Sequence, residues 1–185
     1  MNTKIVIGVA GMPGAGKSLV TEIAERMGYP VVTMGDVIRE ETKKRGLHLT
    51  PENMGVIMLR LREEEGSAAV ARRSVSKIES KKSRIVMVDG LRSLNELGEF
   101  RRRFEKFVLI AVYASSETRF RRLFRRRRSD DPSGWATFHE RDMRELSVGL
   151  GNAIALADYL IINEGERTET EKKILAVLRK VTENE

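Results

Sequence analysis

At 185 residues, 41% of them hydrophobic and 33% charged, the chain has the size and balance of one soluble globular domain and not of a disordered one. It contains no cysteine, which excludes disulfides, thiolate zinc sites and a cysteine nucleophile. A net charge of +7 suits polyanionic partners, meaning nucleotides or nucleic acid. The two histidines, His48 and His139, are far apart and offer no metal-binding spacing. No apolar run approaches the ~20 residues of a membrane span, and the first residues lack a signal-peptide pattern. The expected location is the cytoplasm, without a membrane partner.

Ile5 to Ala10 is a nearly uncharged run, as a buried parallel strand requires. Gly11-Met12-Pro13-Gly14-Ala15-Gly16-Lys17-Ser18 follows, a complete G-x-x-x-x-G-K-[ST] phosphate loop. Leu19, Val20, Ile23, Ala24 and Met27 then recur at helical spacing, and Gly28 supplies a stop. Pro30 to Thr33 reads as a second strand. Met34-Gly35-Asp36 reads as a turn, with Asp36 as N-cap of a helix through Lys44. Thr50-Pro51 opens another helix, with Met54, Ile57, Met58 and Leu61 on one stripe. Ala68, Ala71, Val75 and Ile78 mark a further helix. These helices exceed what a strand-to-strand crossover needs and suggest an inserted lobe.

Ile85 to Asp89 is a third strand, ending in an aspartate. Ser93-Leu94-Asn95-Glu96 is a capping box, followed by Leu97, Phe100 and Phe104. Phe107 to Tyr113 is a fourth strand. The next helix is expected to carry Phe120, Leu123 and Phe124 inward and its arginines outward. Arg128 to Gly134 is a polar break, after which Trp135, Phe138, Asp142 and Leu146 share a helical face. Tyr159 to Ile162 is a fifth strand. Thr168 to Glu171 is expected to cap a last helix with Ile174, Leu175, Leu178 and Val181 on its core face. Arg101 to Arg103 read as a solvated basic face.

Five short apolar strands separated by helices define an α/β protein. The expected fold is a P-loop NTPase three-layer sandwich with a five-stranded parallel sheet, a helical acceptor-binding insertion and a short lid. The expected single domain has its core at 1–34, 84–124 and 145–185, its acceptor lobe at about 35–83 and its lid at about 125–144.

The chemistry follows from the residue types. The glycines let backbone N–H groups approach phosphate oxygens, and the helix behind them aims its positive end there. Lys17 can reach the β- and γ-phosphates of ATP, and the Ser18 hydroxyl can ligate Mg²⁺. Asp89, at a strand's end, suits the role of holding Mg²⁺ and its waters. Ligands in such sheets bind at the strands' carboxyl ends, where Lys17, Asp36 and Asp89 all fall.

Gly11 to Ser18, Thr33 to Arg39, Val88 to Arg92 and the arginine-rich helix from Arg119 together resemble the nucleoside-monophosphate kinases, adenylate kinase above all. More closely, the whole sequence resembles an archaeal family of adenylate-kinase-related P-loop proteins, sometimes labelled dephospho-coenzyme-A-kinase-like. Asp142 to Asn152 is among the phrases that carry this likeness. The resemblance implies ATP and Mg²⁺ as cofactors and an AMP-like nucleotide as acceptor. It implies that Arg39, in the T-G-D-x-x-R position, and Arg92 grip the acceptor phosphate, with Asp36 orienting the pocket. The stretch before Arg92 is one residue shorter than in the kinases and lacks their Phe-Pro. Lid arginines are drawn from Arg122, Arg126 and Arg127, with Arg122 stacking on adenine, and Arg141 and Arg144 completing the cluster. The expected catalytic set is Lys17, Arg92, Arg126 and Arg127.

The reading is an ATP- and Mg²⁺-dependent phosphotransferase of nucleoside-monophosphate-kinase type. The alternatives are a nucleotide-dependent ATPase acting in RNA or ribosome assembly and a hydroxyl kinase of dephospho-coenzyme-A type. RNA is the less favoured partner, because single-strand binders add an aromatic platform and only 5% of this chain is aromatic.

Overall fold

The computed structural model describes residues 4–128 and 131–183. Ser129 and Asp130, part of the polar break read from the sequence, lie outside the described residues. In chain order the elements are β1 (Ile5–Ala10), α1 (Lys17–Arg26), β2 (Val31–Thr33), α2 (Met34–Lys44), α3 (Pro51–Glu65) and α4 (Ala69–Glu79). They continue as β3 (Ile85–Asp89), α5 (Leu94–Arg103), β4 (Lys106–Tyr113), α6 (Ser116–Arg126), α7 (Trp135–Ser147), α8 (Leu150–Ala155), β5 (Tyr159–Ile162) and α9 (Arg167–Glu183).

The five expected strands form one parallel sheet in the order β2-β3-β1-β4-β5. Helices cover both faces, so β1 is apolar throughout, and β3 and β4 carry a charge only at one end, Asp89 and Lys106. All six residues of β1 are buried. Ile5, Ile7 and Val9 face a layer made by α1 and α9. Val6 and Ala10 face the opposite layer, built from α2, α3, α4, α5 and α8. Gly8 lies between them, and a Cβ there would sit 2.7 Å from the tip of the Phe107 ring. The ring fills the space a side chain would take.

The register brings the strand ends together. Asp89 of β3 pairs with Val9 of β1 on one side and Thr33 of β2 on the other. The three loops that leave these strands therefore open at one edge.

Several local expectations change. Asp36 does not cap α2. The helix begins at Met34 directly after β2, with Thr33 in the N-cap position and Asp36 in the first turn. The strand runs straight into the helix and leaves no turn for a cap. Arg119 points inward and is buried, whereas Phe124 is about half exposed. Phe120 and Phe124 instead join Trp135 and Phe138 in an aromatic cluster between α6 and α7. On α7, Phe138 and Asp142 are buried as the shared face requires, but Leu146 is exposed. Thr168 lies inside α9, which begins at Arg167, and it is Thr170 that turns inward. The short helix α8 carries too few apolar repeats to be read from periodicity. Arg101, Arg102 and Arg103 pair with Asp158, Glu99 and Glu79, as a solvated face should.

Candidate active site

The loop from Gly11 to Gly16 joins β1 to α1. Its turn is closed by the Ala15 N–H donating to the Met12 carbonyl at 3.0 Å. Gly14 and Gly16 have φ of +81° and +102°, a region that L side chains rarely adopt. Space forbids side chains there as well. A Cβ on Gly14 would lie 2.8 Å from the Arg119 carbonyl, and one on Gly16 would lie 2.2 Å from the Asn163 amide. Pro13 sits beside Gly14 and Met12 packs partly into the core.

Lys17 folds back over the loop and donates to the Gly11 carbonyl at 2.6 Å. Burial pushes its ammonium pKa down, and the negative charge of Asp89 opposes that shift. Arg92 and Arg141 push it down further, while Glu145 opposes them. Residues from β3, the loop after it and α7 therefore all act on the same ammonium. Ser18 is exposed at the start of α1.

The Asp89 carboxylate has one buried oxygen, Oδ1, with no hydrogen-bond partner among the described residues. A buried carboxylate oxygen left bare is costly. Among the described residues no cluster of three metal-ligating side chains exists. That donor set fits Mg²⁺, which binds through one or two protein oxygens, phosphates and retained waters instead of an all-protein cage. Ser18 and Asp89 are the residues that would hold it, and the glycine loop with Lys17 fits a phosphate chain.

Asp36 and Arg39 pair with each other, both about half exposed, across the first two turns of α2. Arg92 follows Gly90 and Leu91 after β3 and pairs with Glu145 of α7 at 3.3 Å. The backbone N–H of Arg92 donates to Glu96 at 2.8 Å, which fixes the loop from which its side chain leaves.

The arginines of the expected lid separate into different groups. Arg122 donates to the Asn163 carbonyl at 3.0 Å and to the Ala15 carbonyl at 3.4 Å, so it faces the back of the phosphate loop. Arg126 is not a free charge. It binds Asp131 through two nitrogens at 2.9 and 2.5 Å, holding that carboxyl below the usual range, and Arg141 stands 3.8 Å from the same aspartate. Arg127 is exposed and ends α6 in the left-handed conformation, with φ 53°. Arg144 is exposed on α7.

Three further residues support the loop in ways the sequence does not assign to them. Asn163 is buried just past β5, where its amide donates to the Ala15 carbonyl at 2.8 Å. Its signal was available, a polar residue directly after an apolar strand, as with Asp89. Arg119 and Asp142 form a buried ion pair, with bonds of 2.8 and 2.5 Å. Arg119 lies one turn before Leu123 on the inward stripe, which its charge concealed.

The parallel sheet order, the glycine loop and the helices on both faces define a kinase-like α/β P-loop protein. Among solved structures, a shikimate kinase from Bacteroides thetaiotaomicron is similar with a TM-score of 0.64 and 16% identity, over 97% of this chain and 98% of that one. A gluconokinase from Sinorhizobium meliloti is similar with a TM-score of 0.61 and 18% identity, over 98% and 95%. At such identities the likeness concerns the fold. The family described as "AAA domain" matches residues 10–139. A UPF0200 protein of Hyperthermus butylicus is 49% identical over 97% of this chain and 96% of its own length. Another, from Methanocaldococcus jannaschii, is 47% identical over 97% and 92%. The chain belongs to this AAA-domain family and, within it, to the archaeal UPF0200 proteins.

Proposed function

We propose that the protein is an ATP- and Mg²⁺-dependent phosphotransferase of nucleoside-monophosphate-kinase type, with an AMP-like acceptor. The observation that carries this reading is the set of charges around Lys17. Arg92 and Arg141 bear on it from two different elements, and each has a carboxylate near it, Glu145 or Asp131. An acceptor that is already a phosphate needs no base. It needs cations that hold two mutually repelling anions together.

Lys17 and the loop amides hold the transferred phosphate, and Ser18 and Asp89 would hold the metal. Mg²⁺ would supply neutralisation of the phosphate charge when bound. Arg39 and Arg92 leave their carboxylates and grip the acceptor phosphate, matching its oxygens with planar forks. Arg126 and Arg127 close over the donor and exclude water.

One observation favours a second reading, transfer to a hydroxyl. Asp36 does not cap α2, and its carboxylate, paired with Arg39, stands in the first turn of the helix directly after β2, where it could act as a base once Arg39 turns to an acceptor. Label from γ-labelled ATP should pass to nucleoside monophosphates and not to sugars or polyols, and Asp36→Asn should retain most of that activity. Label on a hydroxyl acceptor, with Asp36→Asn inactive but folded, would select the second reading. Equal release of free phosphate with and without any acceptor would overturn both.

A further inference from the structure

All five N–H donors of the Arg119 guanidinium are occupied within the protein. Nε donates to the Ala114 carbonyl at 3.2 Å. One terminal nitrogen donates to the Pro13 carbonyl at 3.2 Å and to Asp142 at 2.8 Å. The other donates to Ser116 at 3.1 Å and to Asp142 at 2.5 Å. The Phe138 ring lies 4.9 Å from the guanidinium carbon. An arginine so committed is not a phosphate ligand. It joins the phosphate loop, the end of β4 and α7 at one buried point.

The contact with the loop leaves little slack. A Cβ on Gly14 would meet the Arg119 carbonyl at 2.8 Å and the Arg119 Cβ at 3.1 Å. The peptide plane that carries the Pro13 carbonyl also carries the Gly14 N–H, because the peptide bond is planar. Turning that N–H toward a phosphate turns the carbonyl that Arg119 holds. Asp142 receives both of its bonds on the far side of the same rigid fork. Arg141 is its chain neighbour and Glu145 lies about one helical turn further on, and both act on Lys17.

We propose that Arg119 is a positioning residue that, through the Pro13 carbonyl and Asp142, couples phosphate-loop occupancy to the placement of α7, and so of Arg141 and Glu145. This rests on the reading that the loop binds a nucleotide. It does not depend on which acceptor is used. The two charges act as one unit, since a buried pair is stable only when both partners remain.

The single tryptophan, Trp135, begins α7 and stacks edge-on against Phe120 at 5.1 Å, so its emission reports on α7. The test is a titration with MgADP, read by calorimetry for affinity and by Trp135 emission for α7. Wild type, Asp142→Asn and a double variant, Arg119→Met with Asp142→Leu, are compared. The double variant replaces the pair by apolar volume, which buried sites often tolerate. Wild-type emission should change as ADP saturates. Both variants should bind ADP about tenfold more weakly, as loss of a charge-assisted hydrogen bond predicts. At saturation they should lose most of the emission change. A folded variant that keeps the full change overturns the proposal, as does a wild type that binds ADP with silent Trp135. Decoupled variants in a protein that phosphorylates nothing would leave the coupling standing and remove the phosphotransferase reading. A wild type that binds no ADP overturns both. Should neither variant fold, hydrogen exchange of wild type decides: ADP must slow α7 as well as α1, and an unchanged α7 overturns the coupling.

Discussion

The two sides of the candidate site are built differently. On the phosphate-loop side, the Pro13 and Ala15 carbonyls are held from behind by Arg119 and Asn163, both buried. On the side proposed to take the acceptor, Arg39 rests on Asp36 and Arg92 on Glu145, with both side chains about half exposed. Exposed pairs of this kind contribute about 0–1 kcal/mol and are readily exchanged for a phosphate. In the proposed phosphotransferase, a loop that meets the same phosphate chain at every turnover would gain from being fixed beforehand. A side that had to admit, grip and release an acceptor would gain from arginines parked on weak partners. The comparison predicts that changes on the loop side act on catalysis and changes on the other side act on acceptor affinity.

The largest effect should come from Lys17→Ala. Phosphoryl transfer should fall by about 10²–10³-fold, the cost of removing one preorganised donor from developing charge. The melting temperature should change little, because the ammonium is held by loop carbonyls and not by the core. Transfer at the wild-type rate would erase the distinction between the two sides.

Asp89→Asn sharpens the loop side. Its bare buried oxygen is the candidate metal contact, so the Mg²⁺ concentration for half-maximal activity should rise about tenfold, an energy typical of one charged contact. Nucleotide binding without metal should barely move. An unchanged Mg²⁺ titration would assign Asp89 to structure alone.

Arg39→Ala and Arg92→Ala address the exposed side. Each should raise the acceptor KM by about tenfold while leaving the KM for ATP within about twofold, as expected for loss of one charge-assisted contact. Equal effects on both substrates would mean that these arginines serve the loop.

The smallest effect on transfer itself should come from the support of α2, which carries Asp36 and Arg39, and its readout is stability. Glu41 is bonded by Arg45 at 2.8 Å and by Arg73 at 2.7 Å, and those two guanidinium groups, Arg45 first, hold its carboxyl below the usual range. A folded pKa below the unfolded value means that this stabilisation is complete above the ordinary glutamate range. It is lost as pH falls through the lowered folded value. Glu41→Gln should cost about 1–3 kcal/mol at neutral pH, read as a lower melting temperature. The gap to wild type should close in acid. A gap independent of pH would show that packing, not charge, is at work.

The parts legible in the sequence were those whose signal is local. The phosphate loop announces itself because glycine spacing, Lys17 and Ser18 are contiguous. The five strands announce themselves because a parallel sheet covered on both faces needs unbroken apolar runs, and Thr50 and Ser93 do cap α3 and α5 as read. Where local signals competed, the reading slipped. Asp36 looks like a cap, but β2 passes into α2 without a turn. Arg119 looks like one more outward arginine of α6, but it turns inward to meet Asp142.

The sheet, the phosphate loop and the order of the elements follow from local chemistry, because hydrophobic period, glycine conformation and motif spacing act over a few residues. What each arginine meets depends on how distant elements pack. Arg119, Arg122, Arg126 and Arg141 belong to one basic region of chain, yet they end on Asp142 of α7, on Asn163 just past β5 and on Asp131 of the loop before α7. A guanidinium takes its role from the carboxylate or carbonyl that meets it, and charge alone cannot specify a partner 23 or 41 residues away.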